Sequence, residues 1–203
     1  MPVNIRRATE ADESALSKIC LLTADAGHSA EPLHDHGELP GLIYAVPYVK
    51  LPTTWGFVME DEEKEEVVGY VLGSTDTRYF EQIFEKEWLP PLRAKYLEEE
   101  MKKPGDIGYC KLLKKIHTAS EESIKFSSVH LHIDILKEYQ RKGWGKKLIE
   151  KATEYLKEEG FETVWVGMDP RNTDAKLFYR KLGFQEIDGA GENMLGLRFW
   201  AFK

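Results

Sequence analysis

At 203 residues, 42% of them hydrophobic, the chain is long enough to bury a full core, and a single domain over residues 1–203 is expected. A net charge of −7 excludes the basic footprint of a general nucleic-acid binder, so no direct nucleic-acid contact is expected. Two cysteines, Cys20 and Cys110, give no metal-ligand pair spacing, the opening MPVNIRRATE lacks a signal-peptide core, and no run could span a membrane; an intracellular, cytoplasmic, soluble protein with free thiols is expected.

Val3 to Arg7 reads as a strand. Thr9 to Asp12 then offers helix-start residues, and Ala15, Leu16, Ile19 and Leu22 form a helical stripe. Residues 24–52 read as loop, punctuated by prolines and glycines. Strands are predicted at Trp55–Met59 and Val67–Ser74, joined by the solvated acidic run EDEEKEE. Residues 76–127 predict short helices broken at Pro90-Pro91 and at Pro104-Gly105. In SVHLHIDIL, the apolar residues Val129, Leu131, Ile133 and Ile135 alternate with His130, His132 and Asp134, a strand with two unlike faces. From Gly145, apolar residues at Leu148, Ile149, Ala152, Tyr155 and Leu156 mark one buried helix face ending at Gly160. A strand at Thr163–Met168 follows. A second helix carries Ala175, Phe178, Tyr179 and Leu182 on one face and stops at Gly183. Strands near Phe184–Ile187 and Leu195–Phe202 close the chain, and the order of elements is mixed α/β.

The helix from Gly145 has its charges reversed. Arg141, Lys142, Lys146 and Lys147 crowd its start, where the peptide dipoles already place positive charge, and Glu158 and Glu159 sit in its last turn. Each such placement costs roughly 0.3–1 kcal/mol. A solvated charged surface is the plain reading. Gly143 and Gly145 favour another, because glycines let backbone N–H groups approach an anion closely. QRKGWG therefore reads as a phosphate cradle.

With these residues the chain resembles the GCN5-related N-acetyltransferase (GNAT) superfamily. IRRATEADESAL resembles the family's first strand and helix, QRKGWG its Q/R-x-x-G-x-G/A pyrophosphate loop, and NTDAKLFYRKLGF its N-x-x-A-x-x-x-Y-x-x-x-G-F segment. The last two motifs span about the final third of the chain, while segments 24–52 and 76–127 have no general family counterpart. LHIDIL and RYFEQIFEKEWLPPLRAKY further resemble a microbial subgroup related to the acetyltransferase-like domain of O-GlcNAc hydrolases, whose acceptors are generally unknown.

The resemblance implies a mixed, mostly antiparallel central sheet flanked by helices, and acetyl-CoA as co-substrate. The pyrophosphate would lie on the backbone N–H groups of Arg141, Lys142, Gly143, Trp144, Gly145 and Lys146. The pantetheine amides would pair with the backbone of Ile133, Asp134 and Ile135, and Asn172 would contact the same arm. Tyr179 matches the tyrosine that protonates the departing thiolate. Lys137 stands where the family often has proline, so a less rigid turn is expected there, and Trp144 replaces an aliphatic residue between the glycines.

Acetyl transfer to an amine needs a base and an acid. Tyr179 is the candidate acid; its other reading, a core tyrosine, is compatible with that role. His130, His132 and Asp134 share a strand face as candidate bases, and Asp134 leads because it lies nearest the expected acetyl position. His28, His34, Asp35, His36 and Glu38 form a His-bearing acidic cluster, but their spacing fits no structural zinc pattern, and no metal is expected. The leading function is an acetyl-CoA-dependent N-acetyltransferase acting on an amine of a small molecule or peptide. The alternatives are a CoA-binding module without catalysis and a histone or protein acetyltransferase. Segments 24–52 and 76–127 are expected to wall the acceptor site.

Overall fold

The computed structural model describes residues 2–203. One seven-stranded sheet organises the chain: β1 (Val3–Arg7), β2 (Thr54–Asp61), β3 (Glu66–Ser74), β4 (His130–Ile135), β5 (Thr163–Gly167), β6 (Gln185–Glu186) and β7 (Met194–Arg198), in the order β1-β2-β3-β4-β5-β7-β6. The β4–β5 contact is parallel and the remaining pairs are antiparallel. This is the mixed, mostly antiparallel sheet that the sequence resemblance implied.

The two faces of the sheet carry separate cores. On one, Leu131 and Ile135 of β4 meet Leu148, Ile149, Ala152 and Leu156 of α7 (Trp144–Glu158) and Tyr179 of α8 (Thr173–Lys181). Burying each such aliphatic side chain contributes about 1.5–3 kcal/mol. On the other face pack α1 (Glu13–Leu21), α2 (Leu39–Tyr44), α3 (Thr77–Ile83), α4 (Leu89–Lys95) and α5 (Pro104–Lys114) around Leu16, Tyr48, Tyr70 and Leu72. A short α6 (Glu121–Phe126), capped by the Ser120 hydroxyl on Ser123 N–H, leads into β4.

Several expected boundaries are corrected. Segment 24–52 is not all loop: it holds α2 and two 3-10 turns, because Pro40 falls in the first turn of α2, where no N–H is needed. The chain does not break at Pro90-Pro91 either. A π-helical turn, Phe84–Trp88, carries α3 into α4, and the prolines sit in the first turn of α4. Cys20 rather than Leu22 completes the buried face of α1. The acidic run is a hairpin turn as expected, but Asp61 within it is fully buried and accepts a hydrogen bond from Tyr139. The final predicted strand is shorter, since the chain turns into a 3-10 segment at Phe199–Ala201.

Candidate active site

The site forms where the sheet comes apart. β4 and β5 are in register at one position, His130 opposite Trp165, and then splay. On its other side β4 stays paired with β3 through Ile135 opposite Gly69, and Leu136 N–H reaches Val68 O at 3.0 Å. Backbone groups alternate sides along a strand. Asp134, opposite Tyr70, therefore spends its backbone groups on β3, while those of Ile133 and Ile135 face the opening. This corrects one expectation: of the three residues assigned to pair with a pantetheine by their backbone, Asp134 is turned away. The Ile135 carbonyl already accepts a hydrogen bond from Gln140 Nε2 at 2.7 Å.

The splay opens into a cleft of about 740 Å3, with Ile133, Asp134 and Ile135 on one wall and Asn172, Phe178 and Tyr179 on the other. The glycine turn closes one end. Gly143 caps α7 with φ of 85°, a left-handed conformation suited to glycine, and Arg141 has φ of 60°. Arg141, Gly143, Gly145 and Lys146 line the cleft. Lys142 and Trp144 do not: the Lys142 ammonium lies 5.8 Å from the Tyr139 ring centre, and half-buried Trp144 packs on the core with Lys147 4.1 Å over its ring. Gly145 proves to serve packing, because a Cβ there would stand 2.8 Å from the Phe178 ring of α8. The turn at Lys137 is well tethered without proline, by the Tyr139–Asp61 and Gln140–Ile135 bonds.

Asn172 accepts the Ala175 N–H at 3.0 Å and so caps α8, leaving its amide NH2 against Gly27, whose φ is 90°. Arg171 beside it pairs with Asp25 and Asp169 at 2.8 and 2.7 Å, tying the loop after α1 across the cleft. Ala26, Gly27 and His28 consequently line the cleft near Asn172.

Asp134 is half-buried, and burial pushes its carboxyl up to about 6, against the opposing influence of the Tyr70 and Thr23 hydroxyls. The Tyr70 hydroxyl donates to Asp134 Oδ2 at 2.6 Å. Among the described residues no cationic side chain pairs with this carboxylate. Tyr179 is 5% exposed, and burial, with Asp134 second, raises its hydroxyl well above the usual range, so it stays protonated.

His130 is committed to structure: its ring nitrogens meet Tyr48 Oη at 2.8 Å and Thr77 Oγ1 at 2.7 Å, and burial holds it neutral. Burial also lowers His132 to about 4. In the His-bearing cluster, His34 Nδ1 lies 2.7 Å from Asp106 Oδ1, an α5 residue the sequence did not connect to it. Tyr70 beside Asp134, Tyr44 beside His132 and Tyr109 against Tyr44 were also missed. Their one sequence signal is a hydroxyl-bearing aromatic within an apolar run, as in VVGYVLG.

Fold and cleft together define an acyltransferase. A family model described as the Acetyltransferase (GNAT) family matches residues 37–184, and the chain belongs to that family. It is similar to SsHAT, whose crystal structure is 30% identical with a TM-score of 0.83, covering 98% of this chain and 99% of that one. The PaiA N-acetyltransferase from Thermoplasma acidophilum, solved with coenzyme A, shares the fold at 13% identity and a TM-score of 0.56, covering 98% of this chain and 99% of its own. A ribosomal protein bS18-alanine N-acetyltransferase from Haemophilus influenzae is 42% identical over 57 residues, which are 28% of this chain and 38% of that enzyme. No helix is long and apolar enough to cross a membrane among the described residues, and no three His, Cys, Asp or Glu side chains converge as a metal site.

Proposed function

We propose that the chain, acting as one domain in the cytoplasm, transfers the acetyl group of acetyl-CoA to a primary amine. One observation carries this reading: the splay of β4 from β5 brings the glycine turn, the Asp134 carboxylate and the Tyr179 hydroxyl into one cleft. The N–H groups of the turn and the charges of Arg141 and Lys146 suit a pyrophosphate, and the backbone edge at Ile133 with the Ile135 N–H suits the pantetheine amides. The Asn172 amide NH2 can donate to the same arm.

Asp134 takes a proton from the acceptor's ammonium, giving a neutral amine. The amine nitrogen forms a bond to the thioester carbon and the carbon–sulfur bond breaks. Tyr179 donates its proton to the departing thiolate and recovers one from the new amide nitrogen; Asp134 releases its own to solvent. The high pKa of Tyr179 keeps that proton in place until negative charge develops on sulfur.

The subgroup related to the O-GlcNAc hydrolase domain belongs to the same proposal. It rests on the stretches LHIDIL and RYFEQIFEKEWLPPLRAKY. The positioned Asp134 and Tyr179 favour an enzyme over a CoA-binding module. Titration of acetyl-CoA into the protein, followed by thiol release in the presence of an amine and peptide panel, is the test. Saturable binding and amine-dependent thiol release are expected. Absence of binding by a folded sample refutes the acetyl-CoA assignment, and binding without transfer to any acceptor supports the module.

A further inference from the structure

A half-buried carboxylate without a cation beside it is costly unless one is supplied. Asp134 is such a group: its close protein partner is the Tyr70 hydroxyl. On the same sheet face stand three aromatic rings. Tyr44, at the end of α2, packs edge-on to Tyr109 of α5 at 6.3 Å and lies 5.9 Å from His132. His132 precedes Asp134 by two residues, so its side chain and the carboxylate project from the same side of β4, separated by one strand repeat. Tyr44 is 37% exposed and Tyr109 and His132 are half-buried, so the ring cluster opens to solvent at Tyr44.

Ring faces attract a cation and accept aliphatic carbon against them, and a carboxylate at the closed end fixes an ammonium. We propose that Tyr44, Tyr109 and His132 wall the acceptor subsite and select a primary ammonium on an unbranched aliphatic stem. That is the shared chemistry of a free alkylamine and of a lysine side chain. An N-terminal α-amine fits less well, because the carbon bearing it is branched and carries a peptide group where an unbranched stem would lie along the rings. The inference rests on the acetyl-transfer reading for its purpose, but the subsite binds whether or not transfer follows.

The test is calorimetry on CoA-saturated protein, which cannot turn over, with n-pentylammonium against 1-pentanol. The ammonium is expected to bind at least tenfold more tightly than the alcohol. Tyr44→Leu and Tyr109→Leu are expected to weaken it by roughly 3- to 30-fold, with Tyr44→Phe and Tyr109→Phe restoring it and the Kd for CoA unchanged. In turnover with acetyl-CoA, n-pentylamine and an Nα-blocked lysine peptide distinguish the two sources, and either should exceed an unblocked alanine dipeptide. Ammonium binding without turnover retains the subsite and removes the enzyme. Equal binding of alcohol and ammonium by the wild-type protein, or turnover in which the alanine dipeptide is preferred, overturns the proposal.

Discussion

At Asp134 the proposed chemistry and the stability of the fold meet in one side chain. Its folded-state pKa of about 6 lies above its ordinary value, so the folded chain holds the proton more tightly than the unfolded one. The penalty of ionising it is absent below about pH 4, grows up to about pH 6 and is constant above. Asp134→Asn keeps a partner for Tyr70 and removes the charge. The variant should melt higher than wild type at pH 7–8 and no higher at pH 4, as thermal scans at the two pH values would show. If Asp134 is the base, wild-type kcat/KM should rise with pH through about 6, and the variant should lose that limb together with most of its rate. At Tyr179 the ring is core and the hydroxyl is the proposed acid. Tyr179→Phe should leave the fold and the acetyl-CoA Kd nearly constant while kcat falls about 10²–10⁴-fold. The place of both residues in one cleft was legible in the sequence, for Tyr179 from its motif and for Asp134 from strand alternation. Tyr70 was not, because nothing in a strand's own sequence says which residue on the neighbouring strand will oppose it.

At the scale of elements, periodicity carried the reading where a helix or strand has one buried face. β4, α7 and α8 were legible for that reason. α2 was not, since LPGLIY looks like punctuation; it is helical because Pro40 opens it and Gly41 fits closely on α1, where a Cβ would lie 2.6 Å from the Ser17 Cα. The same close-approach logic governs the crossing of α7 and α8. Gly145→Ala would press on the Phe178 ring, an overpacking that typically costs about 1–3 kcal/mol. The variant should lose both thermal stability and acetyl-CoA affinity, and adding Phe178→Leu should recover much of each. If Gly145 acted only through anion approach, the second substitution would restore nothing. Gly143 behaves differently: a Cβ there meets no atom within 4 Å, so its cost would lie in the left-handed backbone alone.

Across the whole molecule, segments 24–52 and 76–127 are joined to each other. Asp106 accepts from His34 and from the Asp35 N–H at 2.8 Å, Trp88 Nε1 donates to the Leu42 carbonyl at 2.8 Å, and Tyr96 donates to Glu38 at 2.8 Å. Such long-range pairings cannot be read along the chain, and they explain why residues 24–52 do not behave as loop. They also divide the expectation that both segments wall the acceptor: residues 26–28 face Asn172 in the cleft, whereas Tyr44 stands beside His132 with Tyr109 packed against Tyr44. Asp106→Ala breaks buried bonds to a carboxylate, each worth about 1.5–3 kcal/mol. It should destabilise the protein and raise KM for the amine, with little change in the Kd for acetyl-CoA; calorimetry and steady-state kinetics separate the two effects. A parallel loss of both affinities would mean that the helical layer supports the donor cleft as well.

The single register position between β4 and β5 makes the sheet a partition with one aperture. Tyr179 belongs to the core on one side, and Tyr70, which holds Asp134, to the core on the other. Reactants reaching the aperture from opposite sides need not share a doorway, so neither product has to wait for the other to depart. Free CoA should then fail to compete with the amine: raising the amine concentration would not relieve inhibition by CoA, whereas raising acetyl-CoA would.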